Sequence, residues 1–191
     1  MRTEKELNVI KAAYGVFFRY GYAKTTMVDL AKAAGLSRPA LYLVFPGKDE
    51  IFQAVVEWMT EGLLVSIRES LRDDWGLEKK LMHALELSVA QPYDAVRANS
   101  DAVDLLSLDH VVPSIEDSYA SLQNYLAELM SDEVERSGIA LEASECARAL
   151  LSAIRGFKLV AADGQDLRRM IAIQVAIIVA ALGSDQRRCA A

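Results

Sequence analysis

The chain has 191 residues, 52% hydrophobic and 25% charged, which excludes a disordered protein and fits one domain of ordinary size or a small domain fused to a larger one. Its net charge of −6 conceals an asymmetry: residues 1–48 carry eight Lys and Arg against three Asp and Glu, and the remainder thirteen against twenty-four. A basic head on an acidic body points to a nucleic-acid contact confined to one end.

Thr3-Glu4-Lys5-Glu6 reads as a capping box that opens a first helix, with Leu7, Ile10, Tyr14 and Phe17 on its buried face. Gly21 ends it. Thr26 caps a short second helix with Asp29 in its first turn, and Gly35 closes that helix in a left-handed conformation. Ser37 caps a third, with Pro39 in the first turn, where a missing N–H costs nothing. After Pro46-Gly47 a long helix is expected from about residue 48 to 71, with Ile51, Val55, Trp58, Met59 and Leu63 as its stripe. Further helices are expected over 77–90, 93–107, 114–137, 142–161 and 166–182, separated by Pro92, Pro113, Gly138 and Asp163-Gly164. The fold class is therefore all-α. No repeat or low-complexity segment interrupts it.

Residues 27–46 have the spacing of a helix-turn-helix. Ala31 is small where the second helix crosses, Gly35 sits at the turn, and Leu30, Ala34, Leu36, Leu41 and Val44 face inward. Ile10-x-x-Ala13, Phe17-x-x-x-Gly21-Tyr22-x-x-Thr25-Thr26, Asp29-Leu30-Ala31-x-x-Ala34-Gly35-Leu36-Ser37, Leu41-Tyr42-x-x-Phe45 and Lys48-Asp49-Glu50 together resemble the start of the tetracycline-repressor (TetR) family. The likeness covers residues 7–60; the rest resembles that family only in being helical and of suitable length. Gly47 stands where relatives often have Ser or Asn, and Val28 where several carry a polar residue.

A recognition helix presents its first residues to base edges, here Arg38, Pro39 and Ala40. Only Arg38 has donors, and a bidentate Arg–guanine pair is the commonest specific contact. Tyr42 faces the groove wall, and Lys48 opens the next helix toward the backbone. The resemblance assigns phosphate contacts to the positions of Thr26, Tyr42 and Lys48.

In the body, Leu150, Leu151, Ile154, Phe157 and Val160 mark one helix face, while Ile171, Ile173, Ile177, Ile178 and Leu182 cover most of the next helix. A helix apolar nearly all round needs cover on several sides, and a second subunit supplies it. The expected homodimer interface is Leu150, Ile154, Phe157, Ile173 and Ile177, and the resemblance implies a four-helix bundle there. The resemblance also implies an effector pocket for an unknown, largely apolar small molecule. Trp58, Met59, Met82, His83, Leu85, Tyr119 and Phe157 are its candidate lining, with Asp104, His110 and Arg155 as further polar candidates.

The domains expected are a DNA-binding head at 1–47, an effector-binding and dimerisation body at 48–183, and a loose tail at 184–191. The partners expected are double-stranded operator DNA, a second copy and the effector, and by analogy the protein represses until the effector releases it. No catalytic residue, cofactor or metal site is expected, because two histidines without Glu-x-x-His spacing and no Gly-rich phosphate loop build none of the usual centres. Cys146 and Cys189 lack CxxC spacing and suit a reducing, cytoplasmic compartment. The opening residues lack the apolar core of a signal peptide, and the most hydrophobic run, Met170–Leu182, falls short of the roughly twenty residues that span a bilayer. No membrane contact is expected. The alternatives are a helical protein–protein adaptor, which needs neither the basic head nor Arg38 and Lys48, and a helical enzyme. DNA retention at moderate salt separates them from a regulator.

Overall fold

The computed structural model describes residues 2–102, 104–105 and 113–183, and every regular element among them is helical. Thr3 opens α1 (Glu4–Lys24) through the expected capping box: its side chain accepts from the Glu6 N–H, and its own N–H donates to the Glu6 carboxylate at 2.6 Å. Gly21 breaks the helical path without ending the element, and the chain then resumes through Lys24. α2 (Met27–Ala33) begins on Thr26, again with a full capping box, now through Asp29. Gly35, at φ +67°, reverses the chain, while the Leu36 N–H returns to the Ala31 carbonyl at 2.9 Å. Ser37 caps α3 (Arg38–Tyr42) through the Ala40 N–H, with Pro39 in the first turn. α4 (Lys48–Ser70) follows.

By packing, the chain divides into two compact units: Met1–Gly62 with Ala95–Ser118, and Leu63–Asp94 with Tyr119–Ala191. The first is built on Val9, Ile10, Ala13 and Phe17 of α1, Leu30 and Ala31 of α2, Leu41 of α3, and Ile51, Phe52 and Val55 of α4. Phe17 and Phe52 meet edge to face with centroids 5.2 Å apart. Each such side chain contributes roughly 1.5–3 kcal/mol when fully buried. This is why the first half of α4 packs with α1, α2 and α3. Leu41 is fully buried and Ala31 nearly so, as a tight α2–α3 crossing requires.

The turn after α6 also packs in this unit. The Asn99 side-chain amide donates to the carbonyls of Phe18, at 2.7 Å, and Arg19, at 3.1 Å. Asp104 accepts the Ala23 N–H at 2.7 Å, and Lys24 pairs with Asp101 at 2.6 Å. The exposed polar groups at the end of α1 are thus satisfied from about eighty residues away in sequence.

The second unit holds α5 (Leu77–Leu85), α8 (Ala143–Val160), α9 (Gly164–Gly183) and most of α7 (Pro113–Ser137). α9 lies against α5 and α8, and the core includes Leu81, Leu85, Leu126, Met130, Leu150, Ile154, Leu167 and Val175. The expected break at Pro92 and helix over 93–107 are both corrected. The chain stays helical from α5 through a π turn, Glu86–Ala90, into α6 (Gln91–Arg97), and α6 stops there. The Gln91 N–H reaches back five residues to Glu86, so Pro92 falls in the first turn of the new segment, where its missing donor is tolerated. Arg168 of α9 clamps that turn, with two bonds to Glu86 (2.7 and 2.9 Å) and one to Asp94 (2.6 Å). Its pKa is raised, chiefly by the hydrogen bonds to Glu86 and Asp94. Ser184 to Ala191, expected as a loose tail, and His110 lie outside the described residues.

Candidate nucleic-acid interface

The local chemistry that starts α2 and α3 also exposes the residues singled out for DNA. Arg38 and Pro39 open α3 exposed, Ala40 is half-buried, and Tyr42 is exposed. The Arg38 guanidinium lies 5.7 Å from the centroid of the Tyr42 ring, so these two side chains form one cationic and aromatic patch. Arg38 makes no ion pair among the described residues, which leaves its donors available. Thr26 is exposed, but its hydroxyl donates to Asp29 at 2.6 Å and holds that carboxylate below the usual range.

Lys48 is placed by packing rather than left in solvent. Its ammonium sits 4.2 Å over the Tyr22 ring and donates to the Tyr22 carbonyl at 3.0 Å. The Tyr22 hydroxyl in turn donates to Asp49. Burial, reinforced by that bond and by the charges of Asp49 and Glu50, pushes the Tyr22 phenol up to about 12. It therefore stays a neutral donor throughout the physiological range. α1 and the start of α4 are locked together by these three residues, and Lys48 has two of its three protons left for other acceptors.

Two other cations of the head are ion-paired in place. Arg2 pairs with Glu57 at 3.2 Å and Glu61 at 2.7 Å, and Lys24 with Asp101. The sequence reading passed over Leu43, which is 86% exposed immediately after Tyr42. A large apolar side chain so exposed was there to be noticed, because the inward positions of the motif skip it. Val28, on α2, is likewise exposed at 55%.

The residues expected at an effector pocket fall in both units. Trp58 belongs to the first unit, where it packs edge-on against Tyr14 with centroids 6.0 Å apart. Met59 is also in that unit and is exposed. Leu85 is fully buried in the core of the second unit. Half-buried His83 is engaged with the Ser70 hydroxyl at 2.7 Å and with the Trp75 ring. Met82 and Phe157 are half-buried. Tyr119 stands between two cations, Arg155 and Lys158. Asp104 serves the end of α1 instead.

The residues expected between subunits differ in how far their own chain buries them. Leu150 and Ile154 are fully buried within their own chain, because they face the core between α8 and its neighbours. Phe157 is half-buried. The apolar side chains that α8 and α9 leave exposed are Leu159 (79%), Val160 (69%), Ile173 (53%) and Ile177 (57%). Among the described residues there is no cluster suited to a metal ion, and no helix is long and apolar enough to cross a membrane.

Residues 9–55, which comprise this helix-turn-helix and the helices that brace it, match the family of bacterial regulatory proteins of the tetR type. The transcriptional activator FasR of Mycolicibacterium smegmatis is 33% identical over 85 residues, covering 44% of this chain and 39% of FasR. The chain spans about half the length, or less, of the curated relatives it matches. Among solved structures, a transcriptional regulator from Rhodococcus sp. Rha1 aligns with a TM-score of 0.69 at 21% identity, over 92% of this chain and 96% of its own. The TetR-family repressor FadR of Thermus thermophilus, solved with lauroyl-CoA, aligns with a TM-score of 0.66 at 18% identity, over 91% and 92% of the two chains. Residues 9–55 thus match the tetR family of bacterial regulatory proteins, and the fold of the chain as a whole is that of the regulators it aligns with.

Proposed function

We propose that this protein is a transcriptional repressor that binds a palindromic operator as a homodimer and is released by a small-molecule effector. The observation that carries the reading is the α2–α3 unit, which exposes Arg38 beside Tyr42 and buries Leu41 beneath them. Arg38, Pro39 and Ala40 meet base edges, while Thr26, Tyr42 and Lys48 meet phosphates. Residues 1–47 form the DNA-binding head in this assignment, and residues 48–183 serve effector binding and dimerisation. FasR is an activator and FadR a repressor. FadR's fold likeness over nine-tenths of both chains, and its acyl-CoA ligand, favour repression and an effector of largely apolar character.

Arg38→Ala is expected to cost about 1–3 kcal/mol in operator binding and to relax preference at one base position per half-site. Lys48→Ala should weaken all sequences alike and lower the salt slope by about one per subunit. Selection of bound genomic fragments followed by gel shift measures both. An unchanged site preference for Arg38→Ala removes it from base reading; no retention of any duplex at moderate salt favours the adaptor reading instead.

Leu43 adds an apolar readout to this face. A thymine C5-methyl is its natural partner in the major groove. Replacing single operator thymines by deoxyuridine removes only that methyl, and one position per half-site is expected to lose about fourfold, the effect of roughly 0.8 kcal/mol for one buried carbon. Leu43→Ala should erase that sensitivity. Equal thymine and uracil sensitivity in wild type and variant assigns Leu43 no part in reading.

A further inference from the structure

Within the first unit, α1 and α2 leave an open groove of about 460 Å³ between them, and none of the residues assigned to DNA reading lines it. Its apolar lining comes from Ala12 and Val16 of α1 and Ala33 of α2, with the bare backbone of Gly15 among them. Gly15 is a residue that α1 itself does not account for. It stands in the regular part of the helix, where glycine is less stable than alanine. No left-handed φ requires it, and a Cβ placed there meets nothing within 4 Å. The missing side chain thus relieves no crowding inside the chain. It leaves the groove open to close approach from outside.

The charged groups around that opening are uneven. Arg19 belongs to α1 and Lys32 to α2, and both are exposed. Neither side chain makes a hydrogen bond or an ion pair among the described residues. The Arg19 guanidinium rests 5.4 Å from the centroid of the Tyr20 ring, which also lines the groove and is 44% exposed. The carboxylate in the lining, Asp29, is already engaged. It accepts from the Thr26 hydroxyl at 2.6 Å and the Thr26 N–H at 3.0 Å, and these bonds, then the charge of Lys32, hold it below the usual range. Two cations, one from each helix, therefore flank an apolar strip with an exposed ring at its side.

We propose that this groove is a docking site for an acidic segment of another protein. One apolar side chain of that segment lies over Gly15 against Ala12, Val16 and Ala33, and carboxylates on either side of it meet Arg19 and Lys32. Charge complementarity selects the partner, and the apolar strip selects protein over DNA: a phosphate backbone would satisfy the two cations but has nothing apolar to lay between them.

Panning the full-length wild type against a phage library of short random peptides provides the test. Selected peptides are expected to carry Leu, Ile or Phe between Asp or Glu residues. Gly15→Leu projects a side chain into the open groove and should bind those peptides at least about tenfold more weakly, because the apolar anchor loses its place. Its helical circular dichroism and operator gel shift are expected to match the wild type, since the face carrying Arg38 is untouched. Arg19→Glu with Lys32→Glu should also lose the acidic peptides and shift selection toward basic ones.

A wild type that enriches no peptide, or enriches basic or uncharged ones, overturns the proposal. Equal binding of the selected peptides by wild type and Gly15→Leu overturns it as well. A Gly15→Leu variant that keeps its helicity but loses the operator gives the groove to DNA instead. A larger assembly of the wild type that Gly15→Leu abolishes gives it to a second copy. Either of these last two results also overturns docking of an acidic partner.

Discussion

Gly21→Ala is expected to lower stability and DNA affinity together, although it adds a single methyl group. Gly21 sits at φ +76° and ψ 169°, a region essentially closed to residues with a Cβ, and occupying it costs about 1–3 kcal/mol. The methyl would also collide with the Asp101 carbonyl and the Asp104 carboxylate. The carbonyl is backbone and cannot rotate aside, and Asp104 is held by the Ala23 N–H. Opposing this, alanine restricts the unfolded chain, a gain of only about 0.4–1 kcal/mol. Strain therefore wins. The DNA face is affected because the Gly21 carbonyl accepts from Thr25 at 2.6 Å, and the next residue, Tyr22, holds Lys48 in place. Gly15→Ala supplies the contrast: it lies in the regular part of α1 with open space around its missing Cβ, and should stabilise by about 0.5–1 kcal/mol. Urea unfolding followed by circular dichroism, with operator gel shift on the same samples, reads both effects. Equal midpoints for the two variants would remove Gly21 from the role given to it here.

The comparison of Gly21 with Gly35 explains how far the sequence could be read. Around Gly35 everything that matters is local: Thr26, Asp29, Gly35, Ser37 and Pro39 act on neighbours within four or five residues, and each appears in the structure where its spacing placed it. Gly21 was legible as a stop signal, but its necessity depends on Asn99, Asp101 and Asp104, about eighty residues away, and no periodicity encodes that meeting. Pro92 was misread for a related reason. A proline normally ends a helix, yet a π turn just before it moves the missing donor into a first turn. In the body, the 3.6-residue pattern identified Leu150, Ile154, Ile173 and Ile177 alike as apolar. Pattern alone does not say which apolar face its own chain covers; the structure buries the first two and exposes the last two.

That division sets the second large effect, expected for Ile173→Glu with Ile177→Glu. The two side chains lie one helical turn apart on α9 and are more than half exposed, as are Leu159 and Val160 at the end of α8. Large apolar side chains left exposed on α8 and α9, two neighbouring helices, are what an interaction surface offers, and in the proposed homodimer a second copy covers them. A glutamate pair there leaves the chain's own core untouched, since Ile171 and Val175, which face inward, are unchanged. Folding should persist, with unaltered helical circular dichroism, while light scattering reports a monomer. DNA binding should then fall by about a thousandfold or more, to the level of a non-specific contact, because a palindromic operator needs two recognition helices about one helical turn apart or a multiple of it. Ile171→Glu is the contrasting variant: at 2% exposure it buries a charge and should unfold the second unit instead. Arg38→Ala should leave the dimer intact while weakening DNA binding, which separates assembly from reading. A dimer that persists in the Ile173→Glu, Ile177→Glu variant would move the interface off this face of α9, and a monomer that still binds the operator tightly would remove the two-half-site requirement itself.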